Sequence, residues 1–404
     1  MPSTFNPIAL RHDFPIFRHH PDLNYLDNAA TSQRPEQVLR VISDFDQKQN
    51  ASVHRGLYEL SSQATNRYEA VRNKVADMIG AENGSTIAFT KGTTESINIV
   101  ANSFRKRLRQ GDNIVISGME HHANLIPWQI ICREMGATLR VIPVTKEGDL
   151  SLDRLQTLLD QNTRLLAISH VSNVLGTINP IEEVIHQAHL KQIPVLVDAA
   201  QSAGHLTVDV KKWEVDFLAF SGHKMFGPFG TGVLYAAPSW SSSLLPLNFG
   251  GGSIRHVDFD QTEFLEYPKN LEAGTANVSG VIGLGAAVDY IRRVDTESAI
   301  HHEHFLAATF REKALQAGFI RLMGNPRRHA GIVAFNVDAV HPHDVASYLA
   351  SRSIAVRAGH HCAEPLLRYM NEAASVRVSF SIYNTPEEVD RTIEALKEVK
   401  KFWS

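Results

Sequence analysis

The chain has 404 residues, 43% of them hydrophobic, and its 40 lysines and arginines nearly balance 43 aspartates and glutamates. A formal net charge of -3 provides no overall field to attract nucleic acid or a membrane surface. Because no apolar signal segment opens the sequence and no apolar run reaches about 18 residues, we expect no membrane span. Only two cysteines occur, Cys132 and Cys362, which excludes a disulfide scaffold and favours a reduced, cytoplasmic enzyme.

Strand-like and helical segments alternate through the first part of the chain. Residues 1–20 are mixed and contain prolines, which is typical of an arm that packs on the body of a protein. Residues 59–79 show a helical period that ends at Gly80. Strand-like runs then alternate with helical patterns such as Ile181–Lys191, which predicts a mostly parallel sheet with helices on both faces. The strand-like runs are Asn113–Ile116, Leu139–Ile142, Leu165–Ile168, Pro194–Val197, Phe217–Phe220 and Gly232–Tyr235.

The pattern changes after residue 240. Residues 241–275 contain three consecutive glycines and a polar, aromatic stretch, which predicts a loop or a short hairpin. A long helical stretch covers Val281–Ala317, and the short elements after it fit a smaller α+β domain. These elements are the strands Gly331–Val337, Ala355–Arg357 and Val376–Phe380 and the helices His343–Ser351 and Pro386–Lys400.

Polar side chains stand at the ends of several predicted strands. Ligands of open parallel sheets bind at the carboxyl ends of the strands. An acid or a lysine that ends a buried apolar strand is costly unless it meets a ligand. Solvated loop residues are the alternative for any one position, but the shared placement favours a binding site. The residues so placed are Thr93, Thr94, His121, Asn173, Asp198, Ser221, His223 and Lys224.

These residue types include the parts that pyridoxal phosphate (PLP) chemistry requires. PLP needs a lysine for covalent attachment and a carboxylate that keeps the pyridine nitrogen protonated. It also needs hydroxyl groups for the phosphate, a flat side chain on the ring and a cation for the substrate carboxylate. The candidates for these roles, in that order, are Lys224, Asp198, Thr94 with Ser221, His121 and Arg377.

Three segments resemble signature motifs of the class V aminotransferase superfamily of PLP enzymes. Ser221–Pro228, which reads SGHKMFGP, resembles the motif around the cofactor lysine. Asp198–Ser202 resembles the strand end that binds the pyridine nitrogen, and Leu26–Thr31 resembles the N-terminal signature. The motifs occur in the family's order, and the resemblance covers about residues 10–400.

The narrower resemblance is to the group II cysteine desulfurases, which are the SUF-type enzymes and their close paralogues. Arg357–Pro365, which reads RAGHHCAEP, resembles their nucleophile loop, and Val53–Gly56 and Glu120–Asn124 agree with the same group. Tyr58 stands where many relatives have a histidine, and Val278-Ser279 is also atypical. Neither departure touches a core catalytic part.

The resemblance implies an α/β protein of the PLP-dependent aminotransferase fold type I. Its large domain would hold a mostly parallel seven-stranded sheet, and a smaller α+β domain would carry the nucleophile loop. We accordingly predict an N-terminal arm that packs with the small domain, a large PLP-binding domain and a small C-terminal domain. Their predicted bounds are residues 1–20, 21–285 and 286–404.

The resemblance also implies PLP as the cofactor and assigns the roles of the residues around it. Lys224 carries PLP and moves protons, Asp198 pairs with the pyridine nitrogen, Gln201 faces the ring hydroxyl, and His121 stacks on the ring and acts as an acid. Thr275 reaches the phosphate of the neighbouring subunit of a homodimer. The complete set implied to bind the cofactor is Thr93, Thr94, His121, Asp198, Gln201, Ser221, His223, Lys224 and Thr275.

The implied activity is the removal of sulfur from L-cysteine, which gives L-alanine and a persulfide on Cys362. Asn173, Arg357 and Arg377 are the implied substrate-binding residues. The sulfur would pass to an acceptor protein, as in iron–sulfur cluster assembly. The sequence leaves L-selenocysteine open as a second substrate and does not identify the acceptor.

Two other functional classes remain open at this point. One is another PLP enzyme of the same fold, such as an aminotransferase, a kynureninase-like lyase or an epimerase. Cys362 separates this class from the desulfurases, because transamination needs no thiol. The other is a non-catalytic scaffold, against which the intact Lys224 and Asp198 argue.

Three further features favour structural interpretations over functional ones. Neither His360-His361-Cys362 nor His301–His304 has the ligand spacing of a metal site, so we expect no bound metal. Gly280, Gly283 and Gly285 favour close packing of a helix over a dinucleotide loop. Cys132 is expected to be a buried helix residue.

Overall fold

The computed structural model describes residues 5–403 of the chain. The α-helices of this part are α1 (Pro7–Arg11), α2 (Ile16–His19), α3 (Glu36–Lys48), α4 (Glu59–Met78), α5 (Thr93–Arg105), α6 (Ile126–Met135), α7 (Leu155–Leu158), α8 (Ile181–His189), α9 (Val210–Trp213), α10 (Pro238–Ser241), α11 (Val278–Arg293), α12 (Thr296–Ala317), α13 (Pro342–Ser351), α14 (Glu364–Tyr369) and α15 (Pro386–Phe402). The strands are β1 (Asn24–Tyr25), β2 (Ile87–Thr90), β3 (Asn113–Ser117), β4 (Thr138–Ile142), β5 (Thr163–Ser169), β6 (Val195–Asp198), β7 (Phe217–Ser221), β8 (Gly232–Ala236), β9 (Ile254–Val257), β10 (Thr262–Phe264), β11 (Ile320–Leu322), β12 (Ile332–Val337), β13 (Ile354–Ala355), β14 (Arg357–Gly359) and β15 (Ser375–Ser379).

The larger sheet has seven strands in the order β2-β8-β7-β6-β5-β3-β4. Strands β3 to β7 run parallel, and only β8 is antiparallel to its neighbours β2 and β7. Every residue of β3, β6, β7 and β8 is buried, as expected for strands covered by helices on both faces. The predicted α/β fold with a mostly parallel seven-stranded sheet is therefore confirmed.

The smaller sheet is antiparallel, in the order β11-β12-β15-β14. Its buried face packs with the apolar sides of α12, α13 and α15 in one core cluster, which includes Phe310, Phe335, Val378 and Leu396. Strand β14 leads directly into the residues around Cys362. Because Arg357 on β14 pairs with Arg377 on β15, this sheet brings two arginines side by side.

The helical prediction for Val281–Ala317 is wrong in one respect, because two helices replace the single stretch. Helix α11 ends at Arg293, and Asp295 caps the start of α12 by accepting a hydrogen bond from Ser298 N at 3.3 Å. An aspartate at this position satisfies a backbone donor of the new helix. The predicted strand Ala355–Arg357 is likewise divided, since Ile354–Ala355 pairs with β1 and Arg357–Gly359 joins the smaller sheet.

Helix α11 packs closely against α3 and α4. A Cβ atom at Gly283 would lie 2.6 Å from Ile42 Cδ1, and one at Gly285 would lie 2.5 Å from Val71 Cγ2. The glycines are thus packing residues, as predicted.

The predicted domain boundary after residue 285 falls inside α11, which spans Val278–Arg293. The division into domains stays a prediction.

The N-terminal segment packs beside the smaller sheet. Arg11 on α1 donates to Glu388 Oε1 on α15 at 2.9 Å and to the Leu23 carbonyl at 2.7 Å. Residues 1–4 of the predicted arm lie outside the described residues.

Across residues 5–403, no helix combines the length and the apolarity needed to cross a bilayer.

Candidate active site

A cavity of about 310 Å³, here called the central cavity, opens at the carboxyl ends of β5, β6 and β7. All of the predicted site residues except Thr275 line it. These residues are Thr93, Thr94, His121, Asn173, Asp198, Gln201, Ser221, His223, Lys224, Arg357, Cys362 and Arg377. Thr275 lines a different cavity together with Ser52, Arg55 and Gly252. The sheet register accounts for part of this convergence, because Ser169 pairs with Asp198 and Asp198 with Ala219 on adjacent parallel strands.

Asp198 and Lys224 both line the central cavity. Asp198 ends β6 and accepts a hydrogen bond from Ala200 N at 2.9 Å, while Lys224 follows β7 in a tight turn. Burial raises the pKa of Asp198. Burial also lowers the pKa of Lys224 to about 8, although the nearby Asp198 opposes this shift. The lysine therefore becomes a neutral, nucleophilic amine at a much lower pH than an exposed lysine does.

An anion-binding corner lies where α5 begins. The helix starts at Thr93, whose N–H donates to Ser221 Oγ at 2.9 Å, and the two hydroxyls are 2.7 Å apart. Helix N-termini attract phosphate through their free N–H groups and the helix dipole. Gly92 and Gly232 meet here, since a Cβ atom on Gly232 would lie 2.3 Å from Gly92 Cα. The missing side chain of Gly232 thus lets β8 pack against the backbone at the start of α5.

His223 lies near the same corner. Burial, and then the neighbouring Lys224, lower the pKa of His223 to about 4, so its ring is neutral at pH 7. Its Nδ1 atom is buried and has no hydrogen-bond partner within residues 5–403. A buried nitrogen without a partner costs stability unless a ligand or water satisfies it.

The His121 ring is held in one orientation at the central cavity. Its Nδ1 atom accepts a hydrogen bond from Ala123 N at 3.0 Å. Burial, and then Lys224, lower its pKa to about 3. Because the ring is neutral at pH 7 and Nδ1 accepts, its proton lies on Nε2, which is therefore a hydrogen-bond donor.

Glu120 supports this segment and received no role in the sequence analysis. Its carboxyl group accepts from Ser169 N at 2.9 Å and from Asn124 Nδ2 at 2.6 Å. Burial raises the pKa of Glu120 to about 7. The contacts tie the residues around His121 to the end of β5.

Two arginines that line the central cavity share one carboxylate. Arg377 Nη2 donates to Asp27 Oδ1 at 3.0 Å, and Arg357 Nη2 donates to Asp27 Oδ2 at 3.0 Å. Arg377 also donates to the Asn173 carbonyl at 2.9 Å. Within residues 5–403, the buried atoms Arg377 Nε and Asn173 Oδ1 lack a partner. The arrangement offers positive charge and a free N–H group to a substrate carboxylate.

Asp27 was missed as a site residue. It falls within the motif Leu26–Thr31, and the sequence contained one signal for it, an acid directly after an apolar, strand-like segment. Its partners Arg357 and Arg377 lie more than 300 positions away in sequence. Local pattern does not reveal such contacts.

The thiol of Cys362 lines the central cavity from residues 359–364, here called the Cys362 loop. Cys362 is exposed and lines the cavity. His361 and Cys362 have φ values of 52° and 56°, in the left-handed region that costs a non-glycine residue on the order of 1–3 kcal/mol. His361 Nε2 contacts Ser375, and burial lowers the pKa of His361 to about 3. His361 is therefore neutral at pH 7 and supplies no charge to the thiol.

The second cysteine is different. Cys132 lies in α6, is 3% exposed, and belongs to an apolar core cluster. Burial raises the pKa of Cys132 to about 11, so its thiol stays protonated near neutral pH. The prediction of a buried helix residue is confirmed.

A buried pair, His205 and Glu303, holds the turn that carries Lys224 and was also missed. His205 Nε2 donates to the Lys224 carbonyl at 2.9 Å, and Nδ1 contacts both Glu303 carboxylate oxygens at 3.1 Å. Burial opposes the charged form of His205, but the Glu303 carboxylate outweighs it and raises the pKa of His205. Glu303 lies on α12, so this contact joins the turn that carries Lys224 to the elements around the smaller sheet.

Breaking this pair should destabilise the protein in a pH-dependent way. We expect Glu303→Gln to lower the free energy of unfolding by about 3–5 kcal/mol at acidic pH, where the native pair is charged. Folding raises the pKa of His205 above the ordinary histidine value of 6.5. The pair therefore stabilises the folded protein fully at pH values below 6.5. This stabilisation is lost as the pH rises through the raised pKa of His205. Denaturant unfolding at pH 5.5 and at alkaline pH should therefore show a larger deficit at pH 5.5.

The exposed pair of Glu297 and His301, 3.9 Å apart on the same helix, is the matched control. Glu297→Gln should change the free energy of unfolding by less than about 0.5 kcal/mol at either pH. An equal deficit for Glu303→Gln at both pH values would contradict the assignment of a charged pair.

The family model described as aminotransferase class-V matches residues 24–392. Since this match covers most of the chain, the protein belongs to the class-V aminotransferase family. Among curated proteins, the chain is 44% identical to a cysteine desulfurase of Escherichia coli strain SE11, over 98% of this chain and 99% of the relative. It is 43% identical to a probable cysteine desulfurase of Halalkalibacterium halodurans, over 94% of each chain.

Solved structures give the same result for the fold. The apo structure of a cysteine desulfurase from Thermococcus onnurineus NA1 superposes with a TM-score of 0.95 at 41% identity, over 100% of both chains. A cysteine desulfurase from Escherichia coli superposes with a TM-score of 0.93 at 37% identity, again over 100% of both chains. The aminotransferase-type fold inferred from sequence is confirmed by these matches.

Proposed function

We propose that this protein is a cysteine desulfurase that converts L-cysteine to L-alanine and receives the sulfur on Cys362. The observation that carries the proposal is that Lys224 and Cys362 line the same cavity. A lysine with a lowered pKa suits a PLP enzyme, and an exposed thiol in the same cavity suits sulfur transfer. The desulfurase relatives support the same activity.

The central cavity fits PLP. The start of α5 with Thr93 and Ser221 suits the phosphate, Asp198 suits the pyridine nitrogen, and the neutral His121 ring suits the face of the cofactor. The unpartnered His223 Nδ1 provides one more buried polar contact. When bound at Lys224, PLP supplies a ring that accepts the electrons released at the substrate α-carbon.

The protein's own residues then have distinct tasks. Arg377 and Arg357, held side by side by Asp27, bind and orient the substrate carboxylate. Lys224, with its lowered pKa, takes and returns protons at the substrate α-carbon. The Cys362 thiolate attacks the substrate sulfur, so that an S–S bond forms and the C–S bond breaks. The electron pair of that C–S bond stays with the substrate carbon, which protons convert to alanine.

The direct test is to incubate the purified protein with L-cysteine and to measure alanine and sulfide with and without a reductant. We expect alanine in both cases, and more sulfide when an added reductant cleaves the persulfide on Cys362 than when the substrate thiol alone can do so. Formation of pyruvate and ammonia in place of alanine would overturn the proposal in favour of another PLP lyase.

The lowered pKa of Lys224 predicts how fast the apo protein takes up PLP at different pH values. Only the neutral amine attacks the PLP aldehyde, so the rate should rise with pH and reach half its maximum at about 8. Stopped-flow absorbance after mixing apo protein with PLP gives this profile. A midpoint near 10.5, the ordinary lysine value, would show that burial does not tune this amine.

We also propose a homodimer in which Thr275 contributes to the site of the neighbouring subunit. Thr275 lies away from the central cavity of its own chain, on a surface cavity with Arg55 and Gly252. Sedimentation should show a dimer at assay concentration, and Thr275→Ala should weaken PLP retention without changing the dimer. An active monomer would contradict this proposal.

The further use of the sulfur is part of the proposal. A persulfide on an exposed residue is accessible to the thiol of an acceptor protein, and iron–sulfur cluster assembly is the use we propose. L-selenocysteine shares the carboxylate and amine of L-cysteine, so the same arginines can bind both substrates. A cytoplasmic location stays a prediction.

A further inference from the structure

The Cys362 loop is held in its conformation by residues that are distant from it in sequence, Asn173 and His122. Two consecutive non-glycine residues, His361 and Cys362, adopt left-handed backbone angles, and such a conformation persists only when surrounding contacts impose it. Three hydrogen bonds join the loop to Asn173 and His122. Asn173 Nδ2 donates to the His361 carbonyl at 2.7 Å, His122 N donates to the Cys362 carbonyl at 2.7 Å, and Glu364 N donates to His122 Nε2 at 3.2 Å.

His122 therefore contacts the loop at two points, one at Cys362 and one two residues later. Its main chain binds Cys362 itself, and its side chain binds the backbone of Glu364, two residues later, where α14 begins. The N–H groups of a first helical turn have no partner inside the helix, so the imidazole satisfies a donor that the fold leaves free. His122 also directly follows His121, the residue at the cofactor face of the cavity.

We propose that His122 is a positioning residue whose imidazole fixes the Cys362 loop, and thereby the thiol, relative to the cofactor lysine. The inference rests on the proposed function, because it concerns the thiol that receives the sulfur. His122 does not line the central cavity and touches none of the reacting atoms. It acts through the loop, by limiting the positions from which Cys362 approaches the substrate sulfur.

The contact gives a clear choice of variants. His122→Ala removes the acceptor for Glu364 N and leaves the main-chain bond to Cys362 in place. His122→Gln keeps an acceptor, because the amide oxygen of glutamine can receive the same N–H. His301→Ala is the matched control, since His301 is an exposed histidine on α12 whose ring lies 3.9 Å from Glu297.

The first measurement is hydrogen–deuterium exchange of the PLP-loaded protein. We expect the peptide that contains Cys362 and Glu364 to exchange faster in His122→Ala, by roughly tenfold or more, because a protected N–H loses its partner. Exchange in His122→Gln and His301→Ala should match the wild type. This readout does not depend on desulfurase activity, so it tests the contact even if the proposed function fails.

The second measurement separates kcat from KM for alanine release from L-cysteine. We expect His122→Ala to lower kcat by about 10- to 100-fold, as a small misplacement of a reacting group does, with KM and the visible absorbance of bound PLP nearly unchanged. His122→Gln should recover most of kcat. Wild-type exchange and kcat in His122→Ala, or failure of His122→Gln to restore either quantity, would overturn the proposal. Absence of alanine release from the wild type would instead contradict the proposed function.

Discussion

Replacing Lys224 with alanine is expected to abolish covalent attachment of PLP and all turnover of L-cysteine. Lys224 is the only lysine among the described residues that line the central cavity, and burial lowers its pKa to about 8. No other neutral amine is therefore placed to attack the PLP aldehyde. The purified wild-type protein should be yellow, and the variant should lack the visible absorbance that belongs to lysine-bound PLP.

Borohydride reduction followed by peptide mass spectrometry identifies the attachment point. In the wild type, the reduced PLP adduct should lie on the Lys224 peptide alone, and in Lys224→Ala no adduct should form. Lys212→Ala is the matched control, because Lys212 is an exposed lysine paired with Glu182 at 2.7 Å, and its adduct yield should equal that of the wild type. An adduct on a different lysine would refute the assignment.

The strands around this site could be predicted because each gives a local signal. A buried parallel strand is an apolar run, and the polar residue that follows it marks the ligand-binding edge of the sheet. Asp198 and Lys224 follow two such runs, and the register of the sheet brings these strand ends together. The family resemblance singled out Cys362, whose local sequence carries no such signal.

The contacts that position these residues could not be predicted. Asp27 binds Arg357 and Arg377 across more than 300 residues, and His205 meets Glu303 across 98. Such contacts depend on how the helices and strands pack against one another. The spacing of apolar residues within one segment does not specify that packing. The break between α11 and α12 was missed for a related reason. The helical pattern of the sequence shows no interruption at Asp295, whose side chain caps the start of α12 by accepting a hydrogen bond from Ser298 N.

The thiol distinguishes the desulfurase from every other PLP enzyme of this fold. Cys362→Ala leaves Lys224, Asp198 and Arg377 in place, so the variant should still bind PLP with wild-type absorbance and still bind L-cysteine. Alanine release should fall by roughly 100-fold or more, because the step that needs a nucleophile has lost it. Coupled measurement of alanine and of cofactor absorbance in the same sample tests both parts of this expectation.

Cys132→Ala is the matched control for that variant. Cys132 is buried in α6 and burial raises its pKa to about 11, so its thiol is neither accessible nor ionised near neutral pH. Alanine release should be unchanged, and mass spectrometry of the wild type during turnover should find the added sulfur on the Cys362 peptide and none on the Cys132 peptide. A persulfide on Cys132 would contradict the assignment.

L-selenocysteine adds a second comparison for Cys362→Ala. Selenium is a better leaving group than sulfur, so it can depart from the substrate carbon with less need for attack by a thiolate. We therefore expect the variant to lose much less activity towards L-selenocysteine than towards L-cysteine. Equal losses would show that removal of the side chain disturbs the site in general. Wild-type release of alanine from L-cysteine by Cys362→Ala would show that the thiol is not the sulfur acceptor and would favour a PLP lyase that cleaves the C–S bond without one.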